Sequence, residues 1–392
     1  MAIMREELSG GSGGAEHAQV VSAAVLAAAA RGEDESGGVD PLLLRAGDPE
    51  ATARMTAADF DPEDALGPDV SEPVLDPAHC ALTISVEPGR IDVSLVARRG
   101  ELVSAQRIPA VGADMQPERA FDTLTESVTA VLHAAGIEPE DADTLAGIGV
   151  VAAGTDVAAP ATAYRGSGWR SFPLRERLSD RYGLSVTLQS PAAAMTAGEH
   201  WRGAGRGRRN MLGVVLGHGI DGALVIDGRM MVGTTGNAGH IGHVCVDPYG
   251  PPCACGGRGC LQAVAGGAAI AEWARTHGGS DPAADARAVT EAARRGDPVA
   301  LATLRRAGEA IGQAVAGAVT LLDLDVVVLG GPLAGAGSVL FDPIADGYAR
   351  FAALNYASPA RVVPALLGRE GAQVGAAAAV LEAHAYPTGL SA

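Results

Sequence analysis

The chain has 392 residues, 47% apolar and 19% charged, which is enough to bury a large core and to make two or three domains. Its formal net charge of -17 works against non-specific attraction to nucleic acid or to an anionic membrane. Five cysteines at this length exclude a disulfide framework.

Residues 1–15 open on a Gly/Ser-rich run and read as a disordered tail. No secretory leader is legible in MAIMREELSGGSGG, no apolar run reaches membrane-spanning length, and the expectation is a cytoplasmic protein. Residues 16–76 read as a helical region. The Ala/Val-rich run 17–31 is composed of good helix formers, and short helical patterns follow at 41–46 and 49–60. Asp48 is placed to cap the last of these, with Pro49 at its first position. That outline is a helix-turn-helix, and residues 61–76 (DPEDALGPDVSEPVLD) read as a polar linker or a degraded wing.

From Ala81 onward apolar runs alternate with amphipathic ones. Strands are expected at 81–86, 91–97, 145–151, 185–188, 210–216, 222–226 and 326–329. Helices are expected at 117–135, 173–182, 192–201, 268–276, 285–295, 298–322 and 371–385. Such alternation predicts doubly wound sheets covered on both faces. All 29 basic residues are arginine, and the densest group of them, Arg202, Arg206, Arg208 and Arg209, lies in a Gly-rich stretch that reads as a solvated loop.

The chemistry-bearing stretch is GHIGHVCVDPYGPPCACGGRGCLQ, residues 239–262. It places His243, Cys253, Cys255 and Cys260 close in sequence, and one imidazole with three thiolates makes a closed tetrahedral set for zinc. Four protein ligands leave no open position for water, so the metal is expected to be structural. The remaining cysteines, Cys80 and Cys245, read as buried small apolar residues.

This stretch, with the preceding GIDGALVIDGRMMVGTTGNA and the later VVVLGGPLAGAG, resembles the ROK family of repressors, open reading frames and sugar kinases. The resemblance runs from about residue 81 to 385. It implies an α/β, actin-like (ribonuclease-H-like) body of two lobes, here residues 77–200 with about 366–392, and residues 201–365 with the knuckle. It also implies a winged-helix-like N-terminal region, a homodimer or tetramer, and zinc on His243, Cys253, Cys255 and Cys260, with His243 also facing the sugar site.

Against the family's kinase pattern the chain departs at four places. Where the first strand ends in Asp-x-Gly-Gly-Thr, this chain has Ser85, Val86, Glu87, Pro88 and Gly89, which lack the acid and place a carboxylate near phosphate. In the segment that carries the general base, Ser190 stands for the Asn and Pro191 for the Asp, and proline accepts no proton. In the sugar-gripping motifs, His240 replaces a Glu and Arg165 replaces an Asn, a change that favours an anionic or aromatic ligand over a neutral hexose. In the second phosphate loop, His218 replaces a Thr and Asp221 a Gly; Gln262 follows the knuckle where Glu is usual, and Pro332 replaces a glycine of the adenosine-side loop.

The expectation is a zinc-stabilised ROK protein with no ATP site and no sugar-kinase activity, binding a small molecule as a regulator. Residues 1–75 hold four Arg against fifteen Asp and Glu, so DNA contact is expected to be weakened or lost; those helices otherwise serve to cap the body or to pack a dimer. The alternative is a repurposed enzyme that uses His218, Asp221 and His240 as acid and base without ATP. His240, His243 and Arg165 are the expected ligand contacts.

Overall fold

The computed structural model describes residues 19–22, 76–87, 90–109, 117–152, 172–279, 281, 283–352 and 360–387. The tail 1–15, the helical patterns at 41–46 and 49–60, the linker up to residue 75, and Arg165 lie outside the described residues. Within the expected helix 17–31, the described residues Gln19–Ser22 instead form a strand, β1, paired antiparallel to a later strand. Helix propensity is a weak prior, and pairing across the sheet overrides it.

The first sheet holds β1, β2 (Cys80–Glu87), β3 (Arg90–Ala97), β4 (Leu102–Pro109), β5 (Gly147–Ala152) and β6 (Val186–Gln189) in the order β1-β4-β3-β2-β5-β6. The second holds β7 (Met211–Leu216), β8 (Ile220–Ile226), β9 (Arg229–Met231), β10 (Val326–Gly330) and β11 (Arg361–Pro364) in the order β11-β10-β7-β8-β9. Apart from β1, both sheets follow one plan. Three strands run antiparallel in a meander, and two parallel strands join the free side of the first.

Helices separate and cover the sheets. α1 (Pro117–Ala134) packs on one face of the first sheet, through Leu124, Val128 and Val131 against Leu82, Ile84 and Val93. α2 (Leu174–Tyr182) adds Leu178 to that core. α3 (Pro191–Arg202) follows the first sheet but packs on the second, and α9 (Gly371–Leu381) follows the second sheet but packs on the first. The far face of the second sheet carries α4 (Leu261–Ala265), α5 (Gly267–Thr276), α6 (Ala286–Arg294), α7 (Pro298–Leu322) and α8 (Ser338–Phe351). The layers therefore read α, β, α, β, α, with α3 and α9 shared in the middle. Two-sided cover explains why β2, β5 and β10 are buried along almost their whole length rather than on alternate residues.

α3 and α9 cross so closely that a Cβ on Gly375 would overlap the Ala194 carbonyl, and one on Gly198 would overlap that of Gly371. Gly375→Ala is expected to cost about 3 kcal/mol, the upper end for overpacking, because the obstacle is backbone that cannot rotate away. A urea midpoint unchanged by this substitution would contradict the crossing.

The C-terminal segment is fastened by a histidine. His200 Nε2 lies 2.7 Å from the Arg208 carbonyl, which only accepts, so Nε2 carries the proton and Nδ1 accepts from Tyr386 Oη at 2.8 Å. Burial lowers the His200 pKa and raises that of Tyr386 to about 12. A histidine depressed in the fold contributes stability that is present above its unfolded value, about 6.5, and is lost as pH falls toward its folded one. Unfolding midpoints should therefore drop on acidification below about pH 6.5, and His200→Gln should flatten that part of the profile.

Several elements escaped sequence reading for visible reasons. β4 buries Ser104 and Gln106, so its inward face is polar; Ser104 Oγ donates to the Val131 carbonyl at 2.7 Å. α8 contains Pro343 and Gly347, both breakers by propensity, yet Gly347 lets the helix close on the Glu309 backbone of α7. No helix among the described residues is long and apolar enough to cross a membrane.

Candidate functional site

Ligands of doubly wound sheets collect at the carboxyl ends of the parallel strands. Register defines what the first sheet presents there. Arg107, Asp92, Ser85, Val151 and Gln189 stand opposite one another across β4, β3, β2, β5 and β6, in one row. Ser85 Oγ and Gln189 Oε1 are buried without a hydrogen-bond partner. Ser190 closes the row as the cap of α3, its Oγ accepting from the Ala193 N–H at 3.1 Å, and Pro191 is the first helical residue. Both are placed as their types demand at a helix start.

Asp92 was not anticipated from sequence, because it lies inside an apolar strand. It is buried beside Ser85, and its carboxylate is held by Arg90 at 2.9 Å and by Arg107. Only the pairing register brings this acid next to the position that Ser85 leaves neutral. With one guanidinium on each oxygen, its carboxylate is committed as an ion-pair partner.

On the second sheet, Asp221 sits inside β8 rather than in the loop before it. Its Oδ1 accepts from the Gly222 N–H at 2.7 Å and lies 3.4 Å from His240 Nε2. The chain carrying His240 is pressed against β8 at Gly239, which has φ 88, and at Gly242, where any Cβ would strike the Ala223 or Ile220 backbone. That close approach also brings His240 against His243, with ring centroids 4.9 Å apart and the ring planes tilted by 38°. The structure brings Asp221, His240 and His243 together. His218 is exposed; its carbonyl accepts from Ala268, and among the described residues no bond joins its ring to the other three.

The knuckle is a tight meander. Cys245 and Cys260, and Pro252 and Arg258, form isolated bridges, and Arg258 donates to the Gly250 carbonyl at 2.8 Å. It converges His243, Cys253, Cys255 and Cys260 so that all four ligand atoms lie within 4.8 Å of one another. Cys255 Sγ is 3.6 Å from Cys260 Sγ, and Cys253 Sγ is 3.7 Å from His243 Nδ1. A regular tetrahedron with zinc bond lengths has edges of about 3.5–3.8 Å, so the donor set fits a single ion. The backbone N–H of Cys255 draws the Cys253 thiol down to about 6, whereas burial pushes Cys260 up to about 12. Gln262, where a Glu is usual, donates Nε2 to Cys253 Sγ at 3.5 Å. An amide supports a thiolate there, and a carboxylate would oppose it. Cys80 is buried as expected. Cys245 is exposed, contrary to expectation, because its bridge with Cys260 lies on the knuckle's rim.

The sequence profile of the ROK family matches residues 83–383. The chain belongs to the ROK family. A glucokinase of Thermotoga maritima is 35% identical over 226 residues, 55% of this chain and 71% of that protein. A Streptomyces coelicolor glucokinase is 29% identical over 316 residues, 76% of this chain and 96% of that one. The DNA-binding transcriptional repressor Mlc of Escherichia coli is 30% identical over 215 residues, 53% of each. Among solved structures, a ROK hexokinase from Thermus thermophilus matches with a TM-score of 0.68 at 28% identity, covering 76% of this chain and 96% of that one. A ROK glucokinase from Streptomyces griseus, solved with glucose and AMPPNP, matches at 0.63 and 26%, covering 76% and 98%. The two-sheet body is thus the actin-like ROK body. Kinases and a repressor both match it, so what this chain does turns on its own side chains.

Proposed function

We propose that this ROK-family chain is a zinc-stabilised, small-molecule-binding regulator that does not phosphorylate sugars. The observation that carries the reading is the start of α3. Pro191 occupies the position at which the kinase pattern places its base, and the hydroxyl of its neighbour Ser190 is already spent on the Ala193 N–H. A sugar hydroxyl delivered there meets no proton acceptor from Ser190 or Pro191. Ser85 leaves the nucleotide side without its acid, and Asp92 beside it is neutralised by two arginines. These departures also argue against an ATP site.

Zinc on His243, Cys253, Cys255 and Cys260 would hold the knuckle and fix His243 through Nδ1, leaving its other nitrogen to a ligand. His240 and Arg165 join it as the ligand contacts, which suits an anionic or aromatic small molecule. A homo-oligomer and weakened DNA contact complete the reading. The test is a coupled ATP-to-ADP assay over a panel of hexoses and N-acetylhexosamines, run beside a thermal-shift screen of sugar acids and aromatic glycosides. Stabilisation by a ligand without turnover supports the proposal; turnover of any sugar by the wild type ends it.

A second reading rests on the 3.4 Å approach of His240 to Asp221. That pair is built to move a proton in a reaction that needs no nucleotide, such as hydrolysis or elimination. An unbiased substrate screen comparing wild type with His240→Ala and His218→Ala decides it. Equal turnover in all three removes both residues from the chemistry, and the absence of His218 from the pair predicts a loss only for His240→Ala.

A further inference from the structure

At the pole opposite the candidate site, the amino ends of β2 and β7 carry a seam of arginines. Arg98 and Arg99 sit exposed in the β3–β4 turn, and Arg206 and Arg208 sit exposed in the loop between α3 and β7. Arg202 links the two groups. Expected in a solvated loop, it is instead the half-buried last residue of α3, stacked on Trp201 at 4.4 Å and donating to the Arg98 carbonyl at 3.1 Å. The His200 bond to the Arg208 carbonyl holds the loop against the same helix. Arg209 is paired with Asp227, but Arg98, Arg99, Arg206 and Arg208 have no ion pair among the described residues. Glu101 and Glu382 are the acids that act on this seam. Burial, and with it the neighbouring Arg206 charge, lowers the Arg202 pKa, as like charges held close must.

The complement is in the same chain. Residues 61–76 contain six acids, Asp61, Glu63, Asp64, Asp69, Glu72 and Asp76, and no basic residue. Their end leads straight into β2, whose first residue, Cys80, pairs with Ala97, the residue before Arg98. The acidic run therefore enters the body beside the seam, and sixteen extended residues reach about 50 Å.

We infer that residues 61–75 dock along Arg98, Arg99, Arg206 and Arg208, tying the N-terminal region to both lobes at the base of the molecule. Exposed ion pairs contribute little each, so a free peptide would bind weakly. A tethered one works at an effective concentration of about millimolar and loses no translational freedom. A DNA duplex is the poorer occupant, since it must approach a chain of net charge -17. The docking rests on charge and chain path and stands whether or not the regulator reading holds.

Hydrogen exchange of the full chain, read by mass spectrometry over residues 61–75, tests it. At about 50 mM salt these amides should exchange about tenfold more slowly than in the quadruple variant Arg98→Gln, Arg99→Gln, Arg206→Gln, Arg208→Gln, and about 0.5 M salt should abolish the difference. Neutralising Asp61, Glu63, Asp64, Asp69 and Glu72 to their amides should give the same loss, and combining both sets should add nothing. The four arginines are exposed, and unchanged exchange in β2, β7 and α9 confirms that each variant folds. Exchange at 61–75 that ignores both the arginines and salt overturns the inference. So does binding of a 20-base-pair duplex through these arginines with no change at 61–75, which would assign the seam to nucleic acid.

Discussion

Glu199→Ala is expected to lower the unfolding free energy by about 4 kcal/mol. Glu199 is fully buried on α3 and accepts three backbone N–H groups: Ala204 at 2.8 Å, Leu366 at 3.0 Å and Leu367 at 2.8 Å. Two of these donors lie 167 and 168 residues away and lead into α9, so one carboxylate ties the helix that covers the second sheet to the helix that covers the first. Bonds to a charged acceptor contribute about 1.5–3 kcal/mol each, and three stranded donors recover only part of this from entering water. Glu199→Gln keeps one acceptor and turns the other oxygen into a donor facing an N–H, so about 2 kcal/mol should go. Urea titrations, with exchange rates at residues 366–371, measure both. An alanine variant within about 1 kcal/mol of wild type would show that the carboxylate is not the tie described.

The second large effect is at the metal cluster. The purified chain should contain one zinc ion, absent in Cys260→Ser and Cys253→Ser. Stripping it should cost about 5 kcal/mol or more, less than the 10–16 kcal/mol of isolated zinc-finger peptides, because α4 and α7 still hold one side of the knuckle. The loss should be local first: the amides of Val246, Cys253, Gly259 and Leu261, which bond within the knuckle, should exchange faster in the apo form. A chain with no bound metal and an unchanged melting profile would contradict both the geometry and the zinc assignment. Gln262→Glu should weaken zinc retention about tenfold by turning a donor to Cys253 into a like charge.

The alternation of strands and helices was legible where apolar runs were pure, as at Val326–Gly330, or amphipathic and capped, as at α7, where Asp297 and Pro298 mark the start. The zinc quartet was legible because its spacing is local: three cysteines within eight residues leave the chain few ways to fold around them. The vacated base was legible for the same reason, since Pro191 cannot accept a proton in any fold. Reading failed where burial and polarity disagree. β4 turns Ser104 and Gln106 inward, and α8 keeps a proline and a buried glycine because α7 needs a close neighbour.

Residue chemistry alone therefore pointed to the family, to the His/Cys quartet and to the proline at the kinase base position, for each is a property of a short segment read in place. Only three-dimensional pairing could set Asp92 beside Ser85 between two arginines, bring His240 to Asp221 without His218, and hand α9 to the opposite sheet. Those outcomes depend on strand register and on glycine-enabled close approaches between segments far apart in sequence, and local periodicity carries no record of either.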